Sequence, residues 1–460
     1  MVMLALFNLL ELRNDIIFLT DFYSDGGFAY AEVTPVMDKD DENLTVDLVY
    51  KIAKNQKVKF ERIVIRGNTR TRDKVIRRQL PIFEQGLYSG TLLKKGIQSI
   101  NMMDYFEDVK MDTQEGSTED QMIVTIDVKE KPTGSLSFGG GYASEGGFFG
   151  VVEVTQRNLF GRGQILMLQT EFGGLMDQYR VRFIEPWVMD IPLSMTAEAF
   201  TWEKDYDTYD WASTGGELAF SYPVWKRWLG TISFFGDVGN YSNVTTRAPF
   251  SVFLNSLFGD ILTLGSSVSL QYDTRNDNFR PTRGVKHFFR AKYTGFGGDV
   301  GFTKYIAETS WYKTLWKDLV GLAHAKAGYV HENSGGYLPD YEKFFLGGPT
   351  SMRGFERSDL APRDIFGRSS GGDKFVQLNF ELTYPLFEEM GIIGVAFMDI
   401  GNVYGNVQDF DLGEMRESAG VGVRWNSPFG PLRIEYAFIL DPTEQDSSTG
   451  KLELGMGAAF

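Results

Sequence analysis

The chain of 460 residues contains no cysteine, which excludes disulfide bonds, thiolate catalysis and cysteine-ligated metal sites. It has no run of 18 or more apolar residues, so a transmembrane helix is not expected. Its 46 lysines and arginines are outnumbered by 61 aspartates and glutamates, for a net charge of -15. That balance argues against non-specific nucleic-acid binding, because such binding needs basic side chains to neutralise phosphates.

The amino-terminal stretch MVMLALFNLL is apolar, but it has no basic flank, runs into Glu11 and lacks an A-x-A cleavage site. It therefore does not predict an intact signal peptide. We expect a fragment, or a chain that begins at an artificial boundary.

The residues before Pro132 contain two segments with the same order of predicted elements. Each has an apolar helix-like piece, a strand, an acidic turn, a second strand and a basic end. The second copy, residues 57–131, adds a leading strand and a first helix, which predicts a complete module of β-α-α-β-β order. Ser89 is its expected helix N-cap, followed by Leu93, Ile97 and Ile100 on one face. Residues 1–56 form a partial module of the same kind.

Residues 132–460 alternate apolar and polar side chains, with almost no helical periodicity. In PLRIEYAFIL, the residues Leu432 to Leu440 at every second position are large and apolar, and Arg433 and Glu435 lie on the other face. Such segments are about ten residues long and number about 16, as in an outer-membrane barrel. The predicted fold class is an all-β transmembrane barrel of about 16 antiparallel strands, preceded by α+β modules.

A soluble β-sandwich would also alternate. Here, however, glycines and charges share one face and large aliphatic and aromatic residues take the other. A sandwich would turn its bulky face inward and its charged face to water. Aromatic residues near strand ends, as in IEPWVMD and YPVWKRWLG, favour interfacial belts and hence the membrane barrel.

Catalytic interpretations have weak support. GRSSG, residues 367–371, matches the G-x-S-x-G nucleophile motif, but it lies in a Gly/Ser-rich loop without the strand and helix that the motif needs. The histidines His287, His324 and His331 show no metal-ligand spacing. The glycines of FGGGYASEGGFFG precede no helix that could bind phosphate. We expect no enzyme activity, no metal and no cofactor.

The ordered motifs KEKPTGSLSFGGGY, QRNLFGRGQ, YDTRNDNFRPTRG and GGPTSMRGF follow the repeated module. This order resembles the BamA family of bacterial outer-membrane protein assembly factors, from about residue 15 to the end. The modules would then be polypeptide-transport-associated (POTRA) domains. Family members carry valine where Met352 stands, and they end in a signal that Glu453, Gly455 and Phe460 match and Ala458 matches weakly.

The resemblance implies a role for the loop of about residues 331–373, which interrupts the strands with glycine and proline. In family members the arginine of this loop folds into the barrel and engages acidic residues of neighbouring strands. Alternation in FVQLNFELTYP assigns Glu381 to the inner face, and VAFMDIGN offers Asp399. We therefore expect the motif Met352, Arg353, Gly354 and Phe355 to lie in the lumen, with Glu381 and Asp399 as the partners of Arg353.

The resemblance also implies a lateral seam between the first and last barrel strands. The seam residues would be Ser135, Ser137, Gly139, Gly140 and Gly141 on one side and Glu453, Gly455, Gly457 and Phe460 on the other. A glycine-rich seam would lower the barrier to opening, and an incoming strand could replace the lost hydrogen bonds.

The expected partners are unfolded outer-membrane proteins, assembly-complex lipoproteins at the POTRA module, and outer-membrane lipids, with no nucleic acid. The expected location is the bacterial outer membrane, with the modules in the periplasm. Two alternatives stay open. A translocation and assembly module or a two-partner secretion transporter would share both modules and loop, and a passive porin would share the barrel alone.

Overall fold

The computed structural model describes residues 7–43, 45–143, 146–206, 208–257, 259–357, 359–364, 366–427, 430–443, 446 and 449–456. These fall into two compact units. The first comprises residues up to 134 together with 156–164, and the second comprises 135–155 and 165 onward.

The first unit begins with a helix and a hairpin. The helix α1 (Leu9–Asp25) starts at Asn8, whose side chain accepts a hydrogen bond from the Leu10 N–H. The strands β1 (Glu32–Asp40) and β2 (Thr45–Ala53) pair antiparallel. These are the helix, strand, acidic turn and second strand that the sequence pattern indicated.

The rest of the unit forms a three-stranded sheet with two helices, in the order β3 (Lys59–Arg66), α2 (Asp73–Arg77), α3 (Gly90–Met102), β4 (Phe106–Glu115) and β5 (Gln121–Glu130). β5 lies centrally, parallel to β3 and antiparallel to β4. The Ser89 side chain caps α3 by accepting from the Leu92 N–H at 3.2 Å, as predicted. Leu93 and Ile100 are buried against the sheet.

Most of the second unit belongs to a closed antiparallel barrel, which has sixteen strands across the described residues. In chain order they are β6 (Gly134–Ala143), β7 (Gly147–Leu159), β8 (Gln164–Gly173), β9 (Met176–Glu185), β10 (Ser194–Tyr206), β11 (Tyr209–Trp225), β12 (Trp228–Ser242), β13 (Ile261–Asp273), β14 (Gly284–Thr294), β15 (Phe302–Trp316), β16 (Leu319–Glu332), β17 (Lys374–Phe387), β18 (Ile392–Tyr404), β19 (Arg416–Ser427), β20 (Gly430–Ile439) and β21 (Gly450–Met456). The helix α4 (Phe250–Ser256) lies between β12 and β13. Short 3-10 helices span Val188–Asp190, Asp340–Glu342 and Leu412–Glu414.

The two faces of the wall are inverted relative to a soluble protein. On β20, Ile434 and Phe438 are more than half exposed, whereas Glu435 between them is fully buried. Because large apolar side chains point out of the barrel and a carboxylate points in, the outer surface suits lipid and the interior suits polar contacts. The predicted fold class, a transmembrane barrel preceded by an α+β module, is confirmed.

The barrel interior holds the inward loop, residues 333–373 between β16 and β17. Its apolar side chains join wall residues in a buried core that includes Met352, Phe355, Trp211 and Phe302. Phe344 and Gly372 exchange two backbone hydrogen bonds, which tie the outgoing and returning limbs of the loop together. The loop is therefore a packed element of the barrel.

Candidate functional site

The tip of the inward loop is a tight turn that needs glycine at two positions. Gly347 has φ +133°, and a Cβ there would lie 1.9 Å from the Glu356 carbonyl oxygen. Gly354 has φ +92°, and its Cβ would lie 3.1 Å from the Ala437 Cβ on the wall. Glycine reaches both conformations without steric cost. The turn can thus approach the wall closely and present Arg353 to it.

The Arg353 guanidinium contacts three wall carboxylates. Its Nε and Nη2 donate to the two oxygens of Asp399 at 2.6 and 2.5 Å. Its Nη1 donates to Glu381 at 2.6 Å and to Glu435 at 3.1 Å. The planar fork of arginine matches the two oxygens of one carboxylate, so this arrangement fixes both the position and the orientation of the tip.

Two wall arginines complete the cluster. Arg424 of β19 donates two hydrogen bonds to Glu381 and one to Glu435. Arg433 of β20 lies 2.8 Å from Glu435 and also donates to the Pro349 carbonyl of the loop. Three arginines therefore face three carboxylates, and the formal charges of these six side chains balance.

Arg353 and its three carboxylate partners are almost completely removed from solvent, whereas the Arg424 side chain is 32% exposed. Arg353 is 3% exposed, and Asp399 and Glu435 are 0% exposed. Burial alone would lower the pKa of Arg353, but the hydrogen bonds and charge of Asp399, with the charges of Glu381 and Glu435, raise it above its ordinary value. Loss of one member of a buried ion pair costs about 3–5 kcal/mol, because the other charge stays behind unpaired.

An aromatic ring packs against the same arginine, and its two apolar neighbours in the motif are buried. The guanidinium carbon lies 3.5 Å from the centre of the Phe397 ring. Met352 and Phe355 are both fully buried, and the guanidinium carbon of Arg416 lies 5.1 Å from the centre of the Phe355 ring. The four motif residues thus combine one buried cation with two apolar anchors and one glycine turn.

Sequence reasoning did not identify Glu435, Arg424 or Arg433 as members of this cluster. A signal was present, because alternation in PLRIEYAFIL assigns Arg433 and Glu435 to the inner face. Alternation alone does not say which inner-face residues of β19 and β20 lie at the height of the loop tip. The register of Arg424 with Arg433 across β19 and β20 supplies that information.

The seam residues form a separate group. Gly455 pairs with Ala143 and Met456 with Tyr142, which joins β21 to β6. Ser135, Ser137, Gly139 and Gly140 are exposed on β6, whereas Gly141 and Glu453 are buried. Gly457 and Phe460 lie outside the described residues.

The other candidate residues from the sequence lie outside the Arg353 cluster. GRSSG lies in the returning limb of the inward loop, where Ser370 Oγ donates to the Pro362 carbonyl. His287 and His324 sit on barrel strands, within 2.8 and 2.9 Å of Thr309 and Ser310. Within the part of the chain that the structure describes, no group of three or more histidine or acidic side chains could hold a metal ion. None of the helices described here has both the length and the apolarity to cross a bilayer.

The fold and the site together define a class: a transmembrane β-barrel with a soluble α+β module in the same chain and an arginine-bearing loop anchored inside the barrel. A family model described as the Omp85 superfamily domain matches residues 158–460, and a POTRA model described as the surface antigen variable number repeat matches residues 58–131. The chain belongs to the Omp85 superfamily.

Named relatives agree with this assignment. The chain is 30% identical over 447 residues to the outer membrane protein assembly factor BamA of Nitratidesulfovibrio vulgaris, covering 96% of this chain and 56% of that protein. It is 29% identical over 444 residues to BamA of Neorickettsia risticii, covering 94% and 59%. The chain thus spans a little under 60% of the length of these two relatives.

A solved structure shares the fold. The crystal structure of Haemophilus ducreyi BamA lacking POTRA domains 1–3 superposes with a TM-score of 0.80 at 22% identity, covering 98% of this chain and 94% of that one.

Proposed function

We propose that this protein folds and inserts β-barrel proteins into the bacterial outer membrane. Residues 132–460 form the barrel in that membrane, and residues 57–131 form a POTRA module in the periplasm, with residues 1–56 as part of a preceding one. Family membership and the BamA relatives support this proposal. Its substrates are unfolded outer-membrane proteins, and its other partners are outer-membrane lipids and assembly lipoproteins that bind the module.

The observation that carries the proposal is the composition of the closing strand pair. β6 contains three consecutive glycines, Gly139 to Gly141, and the last described residues of β21 approach it closely. A Cβ at Gly141 would lie 2.0 Å from the Met456 carbonyl oxygen. Glycine weakens a strand because it adds no side-chain packing and gains more entropy on release. The seam is therefore suited to open more readily than a seam of large side chains.

Opening of this seam needs a substitute partner. Each unpaired backbone group in hydrocarbon costs several kcal/mol, so a fully open seam would be prohibitively unstable. An incoming substrate strand that pairs with β6 restores these hydrogen bonds one for one. Exchange of partners would then be nearly neutral, and burial of the finished substrate barrel would drive the reaction without a nucleotide.

We propose that the module captures substrate by strand addition. The two edges of its sheet differ in how far they are free to pair with another strand. The β3 edge is occupied: the Phe60 N–H donates to the Gly86 carbonyl, and the Phe60 carbonyl accepts from the Gln85 N–H. Just before β3, the Val58 carbonyl accepts from the Tyr88 N–H. Farther along β3, Glu84 accepts from the Ile63 N–H at 3.1 Å and Arg77 donates to the Ile63 carbonyl at 3.2 Å. Side chains that satisfy the outward backbone groups discourage pairing with another strand.

The β4 edge is the one that favours strand addition. β4 is the other outer strand of the sheet, and no strand pairs with its far side in the described chain. Gly116 donates to the Gln121 carbonyl across the β4–β5 ladder, so alternation turns the backbone groups of Met111 and Thr113 outward. We infer that an extended substrate segment adds there before it reaches the barrel.

The seam is tested by locking it with a disulfide. The register sets Tyr142 directly opposite Met456, and Cα atoms of opposed strand residues fall within disulfide reach. The chain has no native cysteine, so Tyr142→Cys with Met456→Cys creates a single possible bond. Oxidation should abolish insertion of client barrels into reconstituted membranes, and a reductant should restore it.

A matched lock on a different strand pair is the control. Tyr436→Cys with Leu452→Cys links β20 to β21 at an opposed pair and leaves the seam able to open. Oxidation of this control should leave client insertion near its normal rate. Normal insertion by the locked seam variant would contradict the proposed mechanism. Ion conductance without client insertion would instead indicate a porin.

A further inference from the structure

The inward loop makes a second ionic contact with the wall, in its outgoing limb before the tip, and the charge that the loop supplies there is opposite in sign to that of Arg353. Glu342 closes the short 3-10 helix Asp340–Glu342 in the outgoing limb. Its carboxylate lies 2.5 Å from the Lys292 Nζ of β14 and 3.1 Å from the Lys304 Nζ of β15. Lys304 also donates to the Glu342 carbonyl at 2.6 Å. One loop residue thus binds both lysines.

Aromatic rings enclose both lysines. The Lys292 Nζ lies 4.8 Å from the centre of the Phe235 ring and 5.3 Å from that of Phe302. The Lys304 Nζ lies 4.7 Å from the Phe344 ring centre of the loop itself. The low-dielectric surroundings strengthen the charge pairing. Burial alone would raise the pKa of Glu342, but Lys292 and Lys304 lower it to about 2.

The two contacts use different parts of the wall. At the tip, the loop supplies the cation Arg353, and β17, β18 and β20 supply the carboxylates. In the outgoing limb, the loop supplies the anion and β14 and β15 supply the cations. Next to Glu342, the Tyr341 ring also stacks on Trp211 of β11 at 4.1 Å. No residue belongs to both contacts, so each can persist when the other is broken.

We propose that Glu342, Lys292 and Lys304 form a second latch, which holds the outgoing limb on the wall independently of the Arg353 tip. Glu342 is then a positioning residue: release of the tip frees only residues near 347–357, and the limb before it stays in place. The biological meaning of this inference rests on the proposed function, but the latch itself is a property of the loop and can be measured without a client protein.

Cysteine labelling separates the limb from the tip. Leu338 in the limb and Met352 at the tip are 8% and 0% exposed, so Leu338→Cys and Met352→Cys should react slowly with a maleimide in the folded protein. Arg353→Ala should speed labelling at position 352 and leave position 338 slow. Glu342→Gln should speed labelling at position 338 by roughly 10- to 100-fold, the range for loss of charge-assisted hydrogen bonds, and leave position 352 slow.

A double-mutant cycle tests whether Lys304 is the partner of Glu342. Lys304→Met keeps the aliphatic stem and removes the charge, so its effect on labelling at position 338 should be less than additive with that of Glu342→Gln. Glu356→Gln is the matched control, because Glu356 is an exposed carboxylate of the same loop. It should change labelling at neither position. Heat-dependent gel mobility confirms that each barrel is folded before labelling.

Two results would overturn the proposal. One is fast labelling at position 338 in Arg353→Ala alone, which would mean that the tip holds the whole loop. The other is unchanged labelling at position 338 in both Glu342→Gln and Lys304→Met. Client insertion is measured in a separate assay, so a failure of the proposed function would leave these labelling patterns intact.

Discussion

Removal of the Arg353 side chain should destabilise the barrel mainly because it leaves the Asp399 carboxylate unpaired. In Arg353→Ala, Glu381 keeps its two hydrogen bonds from Arg424, and Glu435 keeps Arg424 and Arg433. Asp399 instead retains neutral donors, the Asn379 side chain and the backbone N–H of residue 353. A fully buried carboxylate is then left without a cation.

The expected loss follows from that imbalance. Loss of one member of a buried ion pair costs about 3–5 kcal/mol, and Arg353→Ala should lower the free energy of unfolding by about that amount. Asp399→Asn in the same chain removes the stranded charge. The double variant should therefore be more stable than the sum of the single effects predicts, by about 1.5–3 kcal/mol.

The assay is denaturant unfolding of the purified barrel in detergent micelles, followed by heat-dependent gel mobility. Glu381→Gln offers an internal comparison, since Arg424 compensates there and its coupling to Arg353→Ala should be the smaller one. Arg357→Ala is a matched control, because the Arg357 guanidinium lies 5.4 Å from the Tyr206 ring centre and is outside the cluster. It should cost under about 1 kcal/mol.

Additive effects of Arg353→Ala and Asp399→Asn, within about 0.5 kcal/mol, would refute this reasoning. Titration of the Arg353 guanidinium should not affect the result in the accessible pH range. The raised pKa of Arg353 keeps its stabilising contribution fully present below the unfolded pKa, and that contribution would be lost only as pH rises through the still higher folded value.

The remaining predictions concern the module and the second latch. Thr113→Pro removes an outward N–H of β4 and leaves the β4–β5 ladder intact, so it should weaken cross-linking of an unfolded client to the module, whereas Thr113→Ala should not; equal cross-linking would argue against strand addition at this edge. The lowered pKa of Glu342 means that its latch is fully formed above the ordinary value of 4.5 and is lost as pH falls through about 2. The groups that face it are Lys292, Lys304, Asp237, Tyr206 and Tyr341. Pepsin cleavage of the outgoing limb, normalised at each pH to cleavage of an unfolded reference peptide, should therefore rise as pH falls across that interval in the parent chain and stay high and flat in Glu342→Gln; equal normalised pH profiles would exclude Glu342 as the titrating group.

Local patterns in the sequence were enough to predict much of the fold. The period of two in segments such as PLRIEYAFIL depends only on the extended backbone, which sends successive side chains to opposite faces. Because charges and bulky apolar residues separate cleanly between those faces, the sequence indicated both the barrel and its orientation toward lipid. Ser89 and the spacing of Leu93 and Ile100 likewise predicted α3, since capping and helical periodicity are local properties. The contact of Arg353 with Glu381 and Asp399 was expected from the family resemblance together with inner-face parity.

Contacts between distant parts of the chain were decided only by the tertiary structure. Glu435 reaches Arg353 because the closed sheet brings β20 to the height of the loop tip, and periodicity carries no information about height along the barrel axis. Glu342 meets Lys292 and Lys304 because the loop returns toward strands that precede it by about 40–50 residues, a path set by core packing. The pairing of Tyr142 with Met456 likewise depends on closure, since a sheet of the same strands could close with a different stagger.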